Sequence, residues 1–349
     1  MRAGSAQNLR RDPPGTKPGT GGGLHGSAPV ADAGVLTGPA PYHADVARGP
    51  ADVQSHWLRC ADGIRLRLAV WNAGLPQAKG TVLLFAGRTE YVEKYGLTAQ
   101  SLAERGYRMA SVDWRGQGLS DRALPDHLTG HVTDFREFQT DVAALRAALS
   151  TLDVAGPFFL LGHSMGGCIG LRALHEGLPV AAAAFSGPMW GIRIAPQLRP
   201  AAWALSGMSR YLGLSHRYAP GTKPASYITA APFEGNVLTS DPEMYEYMRL
   251  QLAAHPELAL GGPSLSWLYA ALREINALHR MPSPPVPALT HVGTEETIVD
   301  VPTIRDRMRR WPDGTLTLAQ GGQHEIPMEV PALRDAFFDD CDRLFSAAR

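Results

Sequence analysis

A serine flanked by glycines lies near the middle of the chain. Residues 162–167 are Gly-His-Ser-Met-Gly-Gly; the apolar segment 158–161 precedes them and a segment of helical character follows. Glycines two positions before and after Ser164 suit a strand-to-helix turn too tight for Cβ atoms. Such a turn exposes the hydroxyl at a helix N-terminus, where developing negative charge is stabilised. The spacing predicts that Ser164 is a nucleophile, against the alternative of a turn that only needs small residues.

A serine hydroxyl becomes nucleophilic when a base accepts its proton, and histidine is the usual base. In the fold that uses this turn, the acid and then the histidine follow the serine along the chain. The chain has 12 histidines, and His324 is the one that lies beyond the carboxylates discussed next. It follows the apolar segment 315–318 in a loop, so we predict that His324 is the base rather than a surface histidine.

The acid is expected after the strand predicted at residues 288–292. The segment Gly293-Thr-Glu-Glu-Thr-Ile-Val-Asp300 offers Glu295, Glu296 and Asp300. A carboxylate there would hold the imidazole tautomer and stabilise the imidazolium. Glu296 lies where the loop leaves the strand and is the favoured acid, with Asp300 as its main rival.

An acyl-transfer site also needs two backbone N–H groups that bind the developing oxyanion. We expect one from Met165, directly after the nucleophile, and one from Arg88, in the loop after the strand predicted at 81–86. The Arg88 side chain could bind an anionic headgroup or pair with Glu90 or Glu93. The sequence favours the pairing.

Short apolar segments alternate with helical patterns along most of the chain, which predicts an α/β fold whose central sheet is mostly parallel and flanked by helices. Residues 64–70 alternate apolar side chains with Arg65 and Arg67, which indicates a strand with one face in water. The other predicted strands are residues 56–60, 81–86, 107–112, 158–161, 180–185, 288–292 and 315–318, and the predicted helices include 98–105, 134–149, 171–176 and 331–345.

The alternation is interrupted once, which divides the chain into four predicted parts. Residues 51–187 and 286–349 form the two halves of the α/β core, and residues 188–285, called the insertion below, have helical character without strands. Residues 1–50 hold 10 glycines and 7 prolines and are predicted to form a disordered tail. Gly21–Gly26 matches a dinucleotide-binding pattern, but no strand precedes it, so we assign it no cofactor.

Composition excludes several classes of function. Lysine and arginine together number 33, as do aspartate and glutamate, and this balance argues against a nucleic-acid binder. The three cysteines are far apart and predict neither a disulfide framework nor a metal knuckle. No apolar segment follows Arg2, so a secretory signal is not expected, and we predict a cytoplasmic enzyme without metal or cofactor.

Several motifs in the same order resemble the α/β-hydrolase superfamily, specifically its monoacylglycerol lipase and bacterial lysophospholipase branch. Besides residues 162–167, the resemblance rests on Val112-Asp-Trp-Arg-Gly-Gln-Gly-Leu-Ser120, Phe85-Ala-Gly-Arg-Thr-Glu-Tyr-Val-Glu-Lys-Tyr95, Gly130-His-Val-Thr-Asp-Phe135 with Asp141, and His324-Glu-Ile-Pro-Met-Glu329. The resemblance implies that the insertion is a cap over the active site. It also implies that Ser164 is the nucleophile, that His324 is the base, and that Glu296 occupies the acid's place, which is usually aspartate.

The same resemblance implies a serine carboxylic ester hydrolase that acts through an acyl-enzyme on a monoacyl lipid, such as a lysophospholipid or a monoacylglycerol. The loop begins with Ala86-Gly87 where monoacylglycerol lipases have His-Gly, which favours the lysophospholipase side. The Met and aromatic residues of the insertion would suit an acyl chain, although most are expected to form its own core. An amide-cleaving, aminopeptidase-like hydrolase and a catalytically silent ligand-binding scaffold are the alternatives. Peripheral membrane contact through the cap and the oligomeric state stay open.

Overall fold

A nine-stranded sheet runs through the part of the protein that the computed structural model describes, Met1 and residues 35–348. The strands are β1 (Val35–Pro39), β2 (Val53–Arg59), β3 (Arg65–Trp71), β4 (Gly80–Phe85), β5 (Tyr107–Asp113), β6 (Phe158–His163), β7 (Ala183–Ser186), β8 (Ala288–Gly293) and β9 (Gly314–Ala319). Their spatial order is β1-β2-β3-β5-β4-β6-β7-β8-β9. The pairs β1–β2, β2–β3 and β3–β5 are antiparallel, and the remaining pairs are parallel.

Helices cover this sheet and confirm the predicted α/β fold. They are α1 (Ala44–Ala47), α2 (Gly96–Glu104), α3 (Glu137–Thr151), α4 (Met165–His175), α5 (Arg199–Ser209), α6 (Tyr227–Ala230), α7 (Pro242–Ala254), α8 (Leu265–His279), α9 (Val301–Arg309) and α10 (Pro331–Ala347). Short 3-10 helices span Val92–Tyr95, Pro196–Leu198, Pro256–Leu258 and Ile326–Met328. The apolar stripe predicted for α3 lies inward, because Phe138, Val142, Leu145 and Leu149 are all buried.

The strands that lead to the predicted site residues are buried on both faces. Every residue of β4, and every residue of β6 after Phe158, is buried. Strand β3 differs from its prediction, since both of its faces are covered from Leu66 onward. Its Arg67 is fully buried between Asp113 and Glu93, at 2.7 Å and 2.6 Å, so charge pairing rather than water satisfies the guanidinium.

The prediction of a disordered tail that reaches residue 50 is wrong at its C-terminal end. Strand β1 pairs with β2, and α1 lies against α7 and the 3-10 helix Val92–Tyr95. Backbone and side-chain partners hold this segment: the Tyr42 hydroxyl lies 3.1 Å from Trp71 Nε1, and Arg67 donates to the Pro41 carbonyl. Residues 2–34, the rest of the predicted tail, lie outside the described residues.

Between β7 and β8 the chain forms α5, α6, α7 and α8, and residues 187–287, all of them described, contain no strand of the sheet. Part of the insertion has its own core, as expected from its composition. That core contains Tyr91, Ile228, Met244, Tyr245, Tyr247, Met248, Leu252, Leu258 and Met328, so residues of the α/β core also contribute to it. Among the described residues, no helix has the length and apolar character needed to cross a membrane.

Candidate active site

The turn between β6 and α4 holds Ser164 in an uncommon backbone conformation. Its φ is 50° and its ψ is −117°, a positive φ that is costly for a residue with a Cβ. A Cβ on Gly166 would collide with the carbonyl of Phe85, and a Cβ on Gly162 would lie 3.0 Å from the Gly167 Cα. The two glycines flanking the serine are therefore required by close packing of the turn, as the sequence spacing indicates.

Ser164, His324 and Glu296 lie in one hydrogen-bonded series. His324 Nε2 is 2.9 Å from Ser164 Oγ, and His324 Nδ1 is 2.6 Å from Glu296 Oε2. Because a carboxylate only accepts, Nδ1 carries the imidazole proton, which leaves Nε2 free to accept the serine proton. The series has the geometry of a nucleophile, a general base and an orienting acid.

Glu296 is held in place on its other side by backbone groups. Its Oε1 accepts from the N–H of Ile298 at 2.6 Å and from that of Val299 at 3.2 Å. Burial raises the pKa of Glu296, but the hydrogen bonds with His324 and the two N–H groups outweigh burial and lower the pKa below its usual value. The carboxyl group is thus kept ionised beside the imidazole.

Asp300, the rival acid, has a different environment. Its carboxylate caps α9 by accepting from the Thr303 N–H at 3.3 Å, and it pairs with Arg199 at 2.9 Å. Those contacts satisfy a helix N-terminus and a surface cation. The structure brings Glu296, and not Asp300, to His324.

Gly187 gives the acid and the base room to meet, a role that the sequence analysis missed. A Cβ at this position would lie 3.1 Å from His324 Nδ1 and 3.2 Å from Glu296 Oε2. The residue also has a φ of +46°, which favours glycine. Only the end of β7 marks this position in the sequence, because the residues it faces come more than a hundred positions later.

Of the two predicted oxyanion donors, Met165 directly follows the nucleophile and Arg88 lines the same cavity as Ser164. Met165 is the first residue of α4, so its N–H has no acceptor within the helix. The Arg88 N–H donates to no other residue that the structure describes. Gln117 fixes the loop around Arg88, since its amide donates to the Gly87 carbonyl at 3.0 Å and accepts from the Thr89 N–H at 3.1 Å. Both N–H groups are therefore available to a ligand.

A buried ion cluster lies directly behind these groups. Lys94 Nζ is 2.6 Å from Glu90 and 2.7 Å from Glu325, and His163 Nε2 is 3.2 Å from Glu325 and 3.4 Å from Glu90. Glu90 also accepts from the Gly87 N–H. The four charged residues, called the ion cluster below, tie together the oxyanion loop, the residue before Ser164 and the residue after His324.

Charges within the ion cluster stabilise one another. Burial alone would lower the pKa of Lys94 and of His163, but the carboxylates of Glu325 and Glu90 raise both. Burial would raise the pKa of Glu325, but Lys94 and His163 hold it well below its usual value. Two carboxylates thus face Lys94 and His163, and the cluster is charge-balanced when His163 is protonated.

Two groups of described residues have the composition of a metal site, and neither fits one well. In the first, Glu90, His163 and Glu325, the Lys94 ammonium already lies between the two carboxylates. In the second, His43, His255 and Glu257, the two rings stack with centroids 3.6 Å apart and planes 18° apart. In-plane lone pairs of parallel stacked rings do not converge on one ion.

A cavity of about 750 Å³ opens above Ser164 and His324. Its walls are mainly apolar side chains of the insertion, which include Met189, Ile192, Ile194, Leu198, Leu205, Val237, Leu238, Met248, Leu252 and Trp267. A space of this size, apolar with a few polar groups at its floor, suits a small amphiphilic ligand. Few of the Met and aromatic residues of the insertion line it, in line with the expectation that most are structural.

The predicted pairing of Arg88 with Glu90 or Glu93 is wrong. Glu90 pairs with Lys94 and Glu93 pairs with Arg67. The Arg88 guanidinium instead donates to the Gly261 carbonyl and lies 5.4 Å from the centre of the Trp267 ring, and the residue lines the cavity. Lys94 and Arg67 therefore pair with the two carboxylates that the sequence analysis assigned to Arg88.

Comparison with known proteins places the chain in a family. A family model described as serine aminopeptidase, S33, matches residues 76–331, which include Ser164, Glu296 and His324. The chain belongs to this family of α/β-hydrolases. The predicted superfamily is thereby confirmed.

Relatives of this α/β-hydrolase carry names of lipid hydrolases. Lysophospholipase L2 of Escherichia coli (strain K12) is 31% identical over 267 residues, which cover 72% of this chain and 76% of that protein. Probable lysophospholipase L2 of Haemophilus influenzae is 28% identical over 255 residues, covering 72% and 79%. A soluble variant of monoglyceride lipase from Saccharomyces cerevisiae shares the fold, with a TM-score of 0.66 at 21% identity, over 88% of this chain and 99% of that one. These names support the predicted lipase branch and favour an ester hydrolase over the amide-cleaving alternative.

The sequence analysis of this α/β-hydrolase did not single out the residues that hold its loops. Glu90 and Lys94 are four positions apart, a spacing typical of helical ion pairs, and could have been linked to each other. Glu325 is 231 residues from Lys94, and no local pattern joins them.

Proposed function

We propose that this α/β-hydrolase cleaves a carboxylic ester of a monoacyl lipid through an acyl-enzyme, with Ser164 as nucleophile, His324 as base and Glu296 as acid. The single observation that carries the proposal is the series of hydrogen bonds from Ser164 Oγ to His324 and on to Glu296, at 2.9 and 2.6 Å, on the floor of the apolar cavity.

The geometry supports a two-step reaction. Ser164 Oγ attacks the ester carbonyl while His324 Nε2 accepts its proton, and Glu296 stabilises the resulting imidazolium. The N–H groups of Met165 and Arg88 bind the oxyanion. His324 then protonates the leaving alcohol, and a water activated by the same imidazole releases the acid from Ser164.

The proposed substrate class follows from the cavity and from the relatives. An alkyl chain gains about 0.8 kcal/mol for each CH₂ transferred from water to an apolar wall. The relatives are named for lysophospholipids and the structural neighbour for a monoglyceride, and each of these substrates combines one acyl chain with a polar headgroup. A monoacyl lipid is the substrate class that the names of these proteins share, and the apolar walls of the cavity favour it.

We further propose that residues 188–285 form a cap that contacts lipid surfaces. Apolar side chains just before, on and just after α5 are exposed: Leu198, Leu205, Met208, Tyr211 and Leu212, with Tyr211 at 92%. Leu198 and Leu205 also line the cavity, so the exposed patch continues into its opening. Leu212→Glu should weaken sedimentation with phospholipid vesicles, whereas Leu250→Glu, at an exposed leucine of α7 away from this cavity, should not; equal binding of both would refute the contact.

The decisive experiment tests both the identity of the nucleophile and the type of bond that the enzyme cleaves. A fluorophosphonate probe should label the wild-type protein covalently and spare Ser164→Ala. The wild type should hydrolyse p-nitrophenyl esters of increasing chain length, and also lysophosphatidylcholine or monoacylglycerol, faster than aminoacyl p-nitroanilides. Faster anilide cleavage would indicate an aminopeptidase-like enzyme, and lipid binding without labelling or turnover would indicate a silent scaffold.

A further inference from the structure

The Arg88 guanidinium is a buried cation with most of its hydrogen-bonding capacity unused. An arginine side chain has five N–H donors, and Arg88 uses Nη2 for the Gly261 carbonyl. Its Nε is shielded from solvent and has no acceptor. Among the described residues no carboxylate pairs with it, and burial lowers the pKa of Arg88 to about 10. A buried charge in this condition is unfavourable unless an anion joins it.

Other buried or half-buried arginines of the described chain are satisfied by the protein. Arg67, Arg115 and Arg172 each pair with carboxylates at 2.6–2.7 Å. Arg307 has no such partner, but it donates to the carbonyls of Met281 and Leu278 at the end of α8 and does not line the cavity. Arg88 differs because its side chain donates to one carbonyl and has no carboxylate partner among the described residues, while the residue lines the cavity.

The cavity offers no negative charge of its own to Arg88. The carboxylates on its lining, Glu90 and Glu325, are neutralised within the ion cluster by Lys94 and His163. Arg193 lines the cavity as well, is exposed, and has neither an ion pair nor a side-chain hydrogen bond within the described structure. The charge balance of the lining is therefore positive.

Position along the chain ties Arg88 to the reacting bond. The residue whose N–H is proposed to bind the oxyanion lines the same cavity as Ser164 and His324, so its side chain is within one residue of the group that would bind the ester. In a lysophospholipid the three carbons of glycerol separate the ester from an anionic phosphodiester. A monoacylglycerol carries a neutral hydroxyl at the same place.

We propose that the Arg88 side chain is a specificity-determining residue that binds the anionic phosphate of the substrate headgroup, so that the enzyme prefers phosphodiester-bearing monoacyl lipids to neutral ones. The inference rests on the proposed ester hydrolysis. A guanidinium matches two phosphate oxygens at once, which a neutral headgroup cannot replace.

The test compares two substrates with the same acyl chain, lysophosphatidylglycerol and monoacylglycerol, each below its critical micelle concentration. Full-length wild type should show the higher kcat/KM for the phospholipid. Arg88→Met should reduce the ratio of the two kcat/KM values by about 10–100-fold, the range for a lost hydrogen-bonded charge contact. Arg88→Lys should recover part of it. Arg210→Met, which removes an exposed cap cation outside the cavity lining, should leave the ratio unchanged.

A second measurement needs no variant. A non-hydrolysable ether analogue of the lysophospholipid should inhibit wild-type p-nitrophenyl ester hydrolysis more strongly than the matching alkylglycerol, by about the same factor. Equal inhibition, or a ratio that Arg88→Met does not change, would overturn the role of Arg88 while leaving ester hydrolysis standing. Failure of the wild type to hydrolyse either lipid would instead refute the proposed function.

Discussion

The acid and the base of the proposed triad are each held by hydrogen bonds on two sides. Glu296 receives two backbone N–H groups on one oxygen and His324 on the other, so its carboxylate cannot rotate without losing a bond. His324 is in turn fixed between Glu296 and Ser164. Preorganisation of this kind reduces the reorganisation required during reaction.

The identity of the acid is testable at this scale. Glu296→Gln should lower kcat/KM about 10³–10⁴-fold, because an amide does not hold the imidazole tautomer or stabilise the imidazolium. Asp300→Asn should change kcat/KM little, since asparagine also caps helices. Ester hydrolysis by the two purified variants gives the comparison, and the opposite ranking would assign the acid to Asp300.

Gly187→Ala should lower kcat strongly although the protein still folds. The new Cβ would press on His324 Nδ1 and Glu296 Oε2, and it would have to adopt a φ of +46°. Gly177→Ala is the matched control, because Gly177 has a φ of +83° and open space around its Cβ direction. Both variants should lose about 1–2 kcal/mol of stability from the left-handed backbone, but only Gly187→Ala should lose most of its activity. Equal activities would mean that the space at Gly187 has no catalytic importance.

At the scale of elements, the ion cluster joins segments that approach from different parts of the sheet. His163 ends β6, Lys94 lies in the 3-10 helix Val92–Tyr95, and Glu325 lies between β9 and α10. Breaking one member leaves buried charges unpaired, which costs more than the intact pair contributes. The cluster therefore acts on both stability and loop position.

Lys94→Met should destabilise the protein by about 3–5 kcal/mol, because Glu90 and Glu325 would lose their shared cation. Urea denaturation measures the change. Lys79→Met removes a lysine whose ion pair with Asp342 is about one-third exposed, and it should cost about 0–1 kcal/mol. The double variant Lys94→Met/Glu325→Gln should be more stable than Lys94→Met alone; a less stable double variant would contradict the charge argument.

The stability contribution of His163 should depend on pH. Its folded-state pKa is raised above 6.5 by Glu325 and Glu90, so the folded protein binds the proton more tightly than the unfolded chain. That contribution is complete below pH 6.5 and is lost as pH rises through the raised pKa. The difference in Tm between wild type and His163→Gln should therefore be largest in mild acid and shrink towards alkaline pH. A difference independent of pH would show that His163 is neutral in the folded protein.

The sequence predicts a helix or strand correctly where the cause lies in neighbouring residues. The stripe of α3 follows from helical periodicity, and β4 and β6 follow from continuous apolar segments. Alternation alone predicts that Arg67 faces water, because it cannot reveal that Glu93 and Asp113 are buried with it. Proximity along the chain predicts that Arg88 pairs with Glu90 or Glu93, but their actual partners are fixed only by the tertiary structure.

At the scale of the whole molecule, the described N-terminal segment connects the edge of the sheet to the insertion. Strand β1 extends the sheet beside β2, and after it the Ala47 carbonyl accepts from the Tyr247 hydroxyl of α7. Gln251 of the same helix donates to the Val46 carbonyl at 3.0 Å. High glycine and proline content suggested disorder here, because composition does not record these distant acceptors.

Deletion of residues 1–49 should lower Tm by about 5–10 °C, because it removes β1 and several buried hydrogen bonds worth about 1 kcal/mol each. Thermal melting followed by circular dichroism measures the shift. A second deletion, of residues 1–34, retains β1 and α1 and so separates their contribution from that of the preceding chain. If the two deletion variants have the same Tm, residues 35–49 contribute nothing measurable to stability.

The hydrogen bond between Tyr247 and the Ala47 carbonyl can form only late in synthesis of the chain. The ribosome delivers Ala47 200 residues before its partner, so this early segment can pair with β2 but must wait for α7 before it is enclosed. Until then its carbonyls and those of its neighbours remain open to water. This segment is thus enclosed only after a helix 200 residues further along the chain has been made.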